Sequence, residues 1–493
     1  MERNYAIKIE EIKKLLNCWL YRALTPYGKI TVIKSLALSK LSHAALVIPS
    51  LDSRKLRQLE SIFYKFLWNT KPDVVAREST KLKEKAGGLG LVDIGDFWRA
   101  FKFSWIRRLI KTDAFWPRIL ELHISDLTGE NSCVKDILEY GASKFGALGK
   151  KLMNPFWKEV FISTKTVLHG SIYSAPEKLL LTPLWENPEI TRNNKPIPTT
   201  AFETLVQHIQ IIGHLFKHGT NVMMSRQELE QTYNLVVEEE SYVELRYIIN
   251  SAFIKLNMKV QDIPTVLYPM QTLLVNTANL TTKGCNRYYN LLRIAKPSKN
   301  TLLIRQTKWH EELGLNYSTD FWGKTYQALP LIKYDNRLKW LQFQIVRNCL
   351  FTNYRVSKFK PDISPLCSYC RVENEIISHL YFLCPVTFTF LKQAQAYFQE
   401  LGVSITLNIS TILFGNKTEK FNSLDNQIIL WLKSFIWSNK FKHSHLSITV
   451  FKEVFKNRLQ EVKEITNFYQ NCNKIFECWA PIYNKINADN GDI

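Results

Sequence analysis

Cys367, Cys370, His379 and Cys384 fall within eighteen residues as a C-x2-C-x8-H-x4-C quartet. Thiolate and imidazole are the borderline-soft donors that Zn²⁺ prefers, and four of them close a tetrahedral site with no position left for substrate. The spacing therefore predicts one structural zinc per chain, held by these four side chains. The first pair brackets a tight turn in which two thiolates chelate one ion. His379 lies in a helix-like stretch with Ile376, Leu380 and Leu383 on its apolar side, and Pro385 stops that stretch beside the last ligand. The plainer alternative is four unrelated buried residues, since free cysteine is often buried. A closed site holds a fold together and does not by itself catalyse. His379 would use one ring nitrogen for the metal, and Glu375, one helical turn earlier, is the candidate acceptor for the other.

Other reactive constellations are missing. Two-metal polymerases and nucleases need clustered carboxylates, and the sequence contains no Asp-Asp pair. It has no G-x-x-x-x-G-K-[ST] loop, G-x-S-x-G elbow or H-E-x-x-H pair. Gly87 to Gly90 lacks the lysine and the preceding strand that phosphate cradling needs, and reads as a flexible turn between helices. His208, His214 and His218 have no carboxylate or cysteine beside them and read as ordinary histidines. No residue is assigned a catalytic role.

The charge is one-sided: 65 Lys and Arg against 44 Asp and Glu give +21 over 493 residues. Such an excess attracts polyanions, with RNA or DNA the leading partner and a membrane surface second. Arg22, Lys29, Lys34 and Lys40 follow one another along the first two predicted helices. Arg347, Arg355, Lys358 and Lys360 crowd the approach to the quartet, interleaved with Phe351, Tyr354 and Phe359. Cations for phosphates and rings for unpaired bases suit single-stranded or RNA partners. Each cluster can also be read as a solvated helix face beside core aromatics. The start of the chain shows no leader peptide, and the best apolar run, Leu36 to Leu51, is broken by Lys40, His43 and Pro49. Nine cysteines, an odd number, favour a reducing compartment. The expected location is the nucleus, the cytoplasm or both.

The elements that must position these residues are mainly α. Residues 1–125 read as a helical bundle, with Thr25 capping a helix that opens at Pro26 and runs to Pro49. Helices follow at about 53–68 and after Asp96. Residues 126–300 read as a helical connecting region with linkers near 187–200 and 281–300. Residues 301–400 carry helices at about 320–328 and 336–352, the small Cys-Cys-His-Cys zinc-binding domain, and a helix from 386. A C-terminal helical region covers 401–485, with the helical pattern continuing over 424–467, and 486–493 reads as a frayed tail.

Several of these segments resemble one family. Trp19-Leu20-Tyr21-Arg22-Ala23-Leu24-Thr25-Pro26-Tyr27-Gly28-Lys29-Ile30 is similar to the thumb of non-LTR (LINE-type) retrotransposon reverse transcriptases. Phe66-Leu67-Trp68 with Gly87 to Asp93, Pro183 to Pro188, and Trp340 to Pro385 with the quartet look like the family's downstream stretches, in the same order. Glu375 stands where the family has an acidic residue. The resemblance implies a C-terminal portion of an RNA-directed DNA polymerase: thumb, connecting region and zinc-binding domain. The family's Asp-Asp palm motif and its endonuclease lie upstream of the thumb, so the expectation is a non-catalytic portion that grips template–primer or element RNA. A catalytic half in trans, a zinc-stabilised protein-interaction scaffold, and a relic without independent function are the alternatives.

Overall fold

The computed structural model describes residues 2–111, 114–129, 142–174, 180, 184–185, 187, 190–193, 195–197, 202–217, 222–255, 274, 277–279, 284–294, 301–329, 332, 335–416, 424–442, 445–468 and 479–488. Outside them lie Cys133, Cys472, Cys478, His218, Pro183, Glu186 and Pro188, parts of the expected linkers near 187–200 and 281–300, and residues 489–493 of the expected tail; the described part of the second linker holds the Asn286–Ile294 helix. Among the described residues the chain is mainly helical, as the sequence predicts. Its sheet content is a two-stranded antiparallel ribbon, Thr191–Arg192 against Lys195–Pro196.

Two compact units interleave along the chain. The first comprises Met1–Leu15, Leu36–Ile62 and Val92–Ser298; the second comprises Leu16–Ser35, Phe63–Leu91 and Lys299–Ile493. The first 125 residues are thus divided between both units, whereas 301–485 belong to one.

In the first unit, the Glu2–Leu20 helix turns Tyr5, Ile9 and Ile12 inward at helical spacing. The Tyr5 hydroxyl donates to the Pro49 carbonyl at 2.8 Å and receives the Trp98 indole N–H at 3.3 Å. A core gathers Phe103, Ile106 and Leu109 of the Ile94–Lys111 helix, Val160 and Phe161 of the Pro155–Ser174 helix, and Tyr288 and Leu292 of the Asn286–Ile294 helix. Burying one such side chain contributes roughly 1.5–3 kcal/mol. A separate cluster is built on Leu184, Trp185, Leu205, Ile209, Leu245 and Ile249, so the described part of the Leu-Trp motif serves packing.

In the second unit, Thr25 accepts from the Gly28 N–H and Pro26 opens the Pro26–Val32 helix, as expected. The predicted single helix to Pro49 is instead interrupted: a wide π turn, Ile33–Ala37, separates it from the Ser39–Val47 helix. Thr31, Ser35 and Ser39 hydroxyls donate back to the Tyr27, Thr31 and Leu36 carbonyls, and such back-bonding bends helices.

Three helices, Thr301–Leu313, Thr319–Ala328 and Asn336–Val346, lead to the quartet. The first of them was not legible in the sequence. The last ends earlier than predicted, because Asn348 takes a left-handed conformation with φ 45°. Trp309 donates to the Val346 carbonyl at 3.0 Å and packs edge-on against Phe414. Beyond the quartet, the helical pattern expected over 424–467 is met by two helices, Leu424–Lys440 and Ile448–Phe468. They pack with Pro385–Glu400 and Ala480–Ala488 through Phe390, Phe451 and Phe455, and Trp431 stacks on Trp479 at 4.6 Å. Among the described residues no single helix is long and apolar enough to cross a membrane.

Candidate metal centre

The first ligand pair sits on a hydrogen-bonded turn. Leu366 bridges Asn374, the Cys367 N–H donates to the Glu373 carbonyl at 2.8 Å, and the Arg371 N–H returns to Cys367 at 3.0 Å. Arg371 takes φ 59°, which lets the chain reverse after Cys370. The Tyr369 N–H points at Cys367 Sγ from 3.4 Å, a bond that favours the thiolate.

The second pair brackets a π turn, His379–Leu383, closed by the Cys384 N–H to the His379 carbonyl at 2.8 Å. The extra residue in that turn corrects one expectation. Leu380 is fully buried, but Leu383 is 53% exposed, because i→i+5 bonding shifts the apolar register that α spacing implied. Pro385 does more than end the stretch: it is the first residue of the Pro385–Glu400 helix, with Cys384 as N-cap.

The four ligand atoms lie within 4.8 Å of one another. Cys367 Sγ is 3.8 Å from Cys384 Sγ, and Cys370 Sγ is 3.3 Å from His379 Nε2. A tetrahedral zinc with bonds of about 2.3 Å to sulfur and 2.0 Å to nitrogen has edges of about 3.8 Å and 3.5 Å. Three thiols and one imidazole, three of the four buried, therefore form a closed set of soft donors that fits a structural Zn²⁺. The Cys384 thiol is pushed down to about 5, chiefly by the hydrogen bond from Cys367 and then by the N–H groups of Thr387 and Val386. The same bond and burial push Cys367 up. One of the pair is thus already held as the thiolate that a metal requires.

The acceptor expected for His379 is corrected by the structure. Glu375 is fully buried and faces away: it accepts from the Asn353 N–H at 2.8 Å, from the Ser368 N–H at 2.9 Å and hydroxyl at 2.7 Å, and from the Lys440 ammonium. The carboxylate within reach of His379 Nδ1 is Glu373, at 3.2 Å. Glu375 lies before the helical turn begins, so the i,i+4 relationship assumed from spacing does not apply. Glu312, unmarked in the sequence, accepts from the Ser378 hydroxyl at 2.6 Å, beside His379. Lys440 and Glu312 stand 65 and 66 residues from their partners, beyond any local pattern.

The cations proposed from sequence separate into groups. Lys29 is buried and donates to the Phe66 carbonyl at 2.9 Å, to the Leu67 carbonyl and to Asn69, so it caps the end of the Ser53–Leu67 helix and cannot face a phosphate. Arg22 is exposed over the Trp19 ring. Lys34 lies near Glu84, and Lys40 is in the first unit, paired with Glu11 at 3.4 Å. Arg347 is buried. Arg355, Lys358 and Lys360 do come together on the surface: Arg355 sits over Phe351 at 5.2 Å and Lys358 over Tyr354 at 4.4 Å, with Lys360 exposed. Gly87 to Gly90 is a turn, but not a loose one: the N–H groups of Gly87, Gly88 and Gly90 donate to Glu84, Lys83 and Leu82 carbonyls. A search of protein-family profiles finds none that matches this chain.

Proposed function

We propose that the chain is a non-catalytic nucleic-acid-binding portion of a LINE-type reverse transcriptase, stabilised by a structural zinc and acting in the nucleus or cytoplasm. The observation that carries this reading is the ledge just before the first ligand pair. Phe351 and Phe359 are 38% and 56% exposed and meet edge-on at 6.2 Å, with Arg355, Lys358 and Lys360 around them and no carboxylate between residues 351 and 361. Exposed rings flanked by cations are a platform for unstacked bases and their phosphates. Glu238-Glu239-Glu240 is an acidic run that would favour a protein scaffold, but its Glu239 pairs within the first unit with Arg226, at 2.6 Å, at the start of the Glu239–Lys255 helix.

The test is fluorescence anisotropy with labelled single-stranded RNA and DNA over a salt series. The wild type should bind at low salt and weaken steeply as salt rises. Lys358→Gln with Lys360→Gln should reduce the slope of log K against log salt by about 1.4, for two lost phosphate contacts. Absence of binding at low salt, or an unchanged slope in the double variant, would refute the reading.

A further inference from the structure

Within the second unit, a cavity of about 180 Å³ is lined by Val74, Val75, Ala76, Ser79, Arg305, Lys308, Arg347 and Cys349. Its volume suits a tetrahedral oxyanion and falls well short of the roughly 300–1,000 Å³ that organic ligands of drug size occupy. The lining includes Arg347, only 3% exposed, whose Nε and Nη1 find no hydrogen-bond partner among the described residues. Buried guanidinium donors are ordinarily satisfied, and a buried cation is ordinarily paired.

Nothing in the lining supplies the missing charge. Among the described residues it contains no aspartate or glutamate. Cys349 stays a neutral thiol, since burial pushes its pKa up to about 11. Burial pulls the Arg347 pKa down and nearby Arg305 adds to that; Tyr326 and Cys349 oppose the shift but carry no formal negative charge. Water could accept the hydrogen bonds of Arg347, but it cannot balance three cations. Arg305 is half-buried and Lys308 and Ala76 are exposed, so the mouth of the cavity is open to a ligand.

We infer that Arg347, Arg305 and Lys308 form a phosphate-binding pocket, whose lining does not include Lys358 or Lys360 of the ring-and-cation ledge. A guanidinium with two free donors is built for a bidentate contact to phosphate oxygens, and the two outer cations supply the remaining charge. The phosphate comes either from a free inorganic or nucleotide source or from the 5′ end of a nucleic-acid strand.

Isothermal titration of the zinc-loaded full chain with inorganic phosphate, at ionic strength fixed with chloride, tests the pocket directly. The expected result is saturable 1:1 binding, weakened about tenfold or more in Arg305→Gln, a half-exposed position at which the fold should persist, and in Arg347→Lys, which keeps the charge but loses the fork. The ledge variant Lys358→Gln/Lys360→Gln should bind phosphate as the wild type does, which separates this site from the oligonucleotide reading. A second arm compares 5′-phosphorylated with 5′-hydroxyl oligonucleotides. A preference for the former, lost in Arg305→Gln, assigns the pocket to strand ends. Equal affinity, with phosphate still bound, assigns it to a free phosphate. No phosphate heat above the chloride control, or binding that both arginine variants leave unchanged, overturns the inference.

Discussion

Lys440, the last residue of the Leu424–Lys440 helix, donates its ammonium to the fully buried carboxylate of Glu375, which in turn holds the backbone N–H next to Cys367. The ion pair joins a C-terminal helix to the turn that carries the first two metal ligands. Both charges are desolvated, so the pair's worth lies in completeness: three further donors saturate the carboxylate, and the helix C-terminus favours the cation. Removing one partner leaves the other buried and unpaired. Glu375→Gln should cost about 3–5 kcal/mol in urea unfolding. It should also weaken zinc binding by roughly 10- to 100-fold, as loss of a ligand's hydrogen-bonded support does. Adding Lys440→Met to Glu375→Gln should recover part of the stability. A loss below 1 kcal/mol with zinc affinity unchanged would show that Glu375 does not support the site.

For the ligands themselves, elemental analysis of the purified chain should return one zinc per molecule. Cys384→Ser and Cys367→Ser should each abolish it. Structural zinc contributes on the order of 10 kcal/mol in isolated fingers, and less where a larger core supports the site. Chelation should therefore melt the Pro385–Glu400 end of the second unit before the core built on Trp309 and Phe414. Hydrogen exchange resolved by segment would show it. Glu373→Gln, by contrast, should keep stoichiometric zinc and lower its affinity only. If chelation leaves exchange unchanged from 366 to 400, the quartet carries no structural metal.

The quartet, the Thr25 cap and the mainly helical character were legible because each is a local signal. What the sequence hid is where cations go. Lys29 looks like a member of a surface series, yet it shares the inner side of its short helix with Tyr27, Ile30 and Val32 and spends its charge on carbonyls. Arg347 follows the buried run from Leu341 to Val346 and is pulled in with it. A count of positive residues cannot tell an ammonium capping a helix end from one facing solvent; only the long-range partner can. The π turn at His379–Leu383 was hidden for a related reason, since one extra residue changes the face that every later side chain takes.

The glycine turn offers a sharp contrast between neighbours. A Cβ at Gly88 would lie 2.2 Å from the Leu82 carbonyl oxygen, a backbone atom that cannot swing aside. Gly90 has φ 73°, and a Cβ there would meet only Lys34 Nζ at 3.4 Å and Glu84 Cγ at 3.8 Å among the described residues. Gly88→Ala should accordingly destabilise the second unit by about 3 kcal/mol, an overpacking cost. Gly90→Ala should cost about 1–2 kcal/mol for its left-handed backbone. Urea unfolding of the two variants in parallel checks the order, and equal losses would mean that the turn relaxes freely.

Stability should depend on pH through a lysine that no local pattern marks out. Lys102 is buried, donates to the Ala45 and Ile48 carbonyls, and lies over the Phe156 ring at 4.7 Å. Burial pushes its pKa down from 10.5 to about 8, with nearby Glu159 opposing the shift. The unfolded chain therefore binds more protons than the native chain between pH 8 and 10.5, and unfolding free energy rises with pH across that window. The penalty for the charged form is complete below pH 8 and gone above 10.5. Its full size is about 3 kcal/mol at most, since each pKa unit is worth about 1.4 kcal/mol. Cys349, which burial raises from 9 to about 11, and Tyr5, raised to about 12, work the other way once the unfolded thiol and phenol titrate near 9 and 10, so the rise should be read between pH 8 and 9. Lys102→Met should flatten the profile in that interval. A wild-type profile that is flat or falling there, or one that the variant reproduces, would show that Lys102 is not held in its buried cationic form.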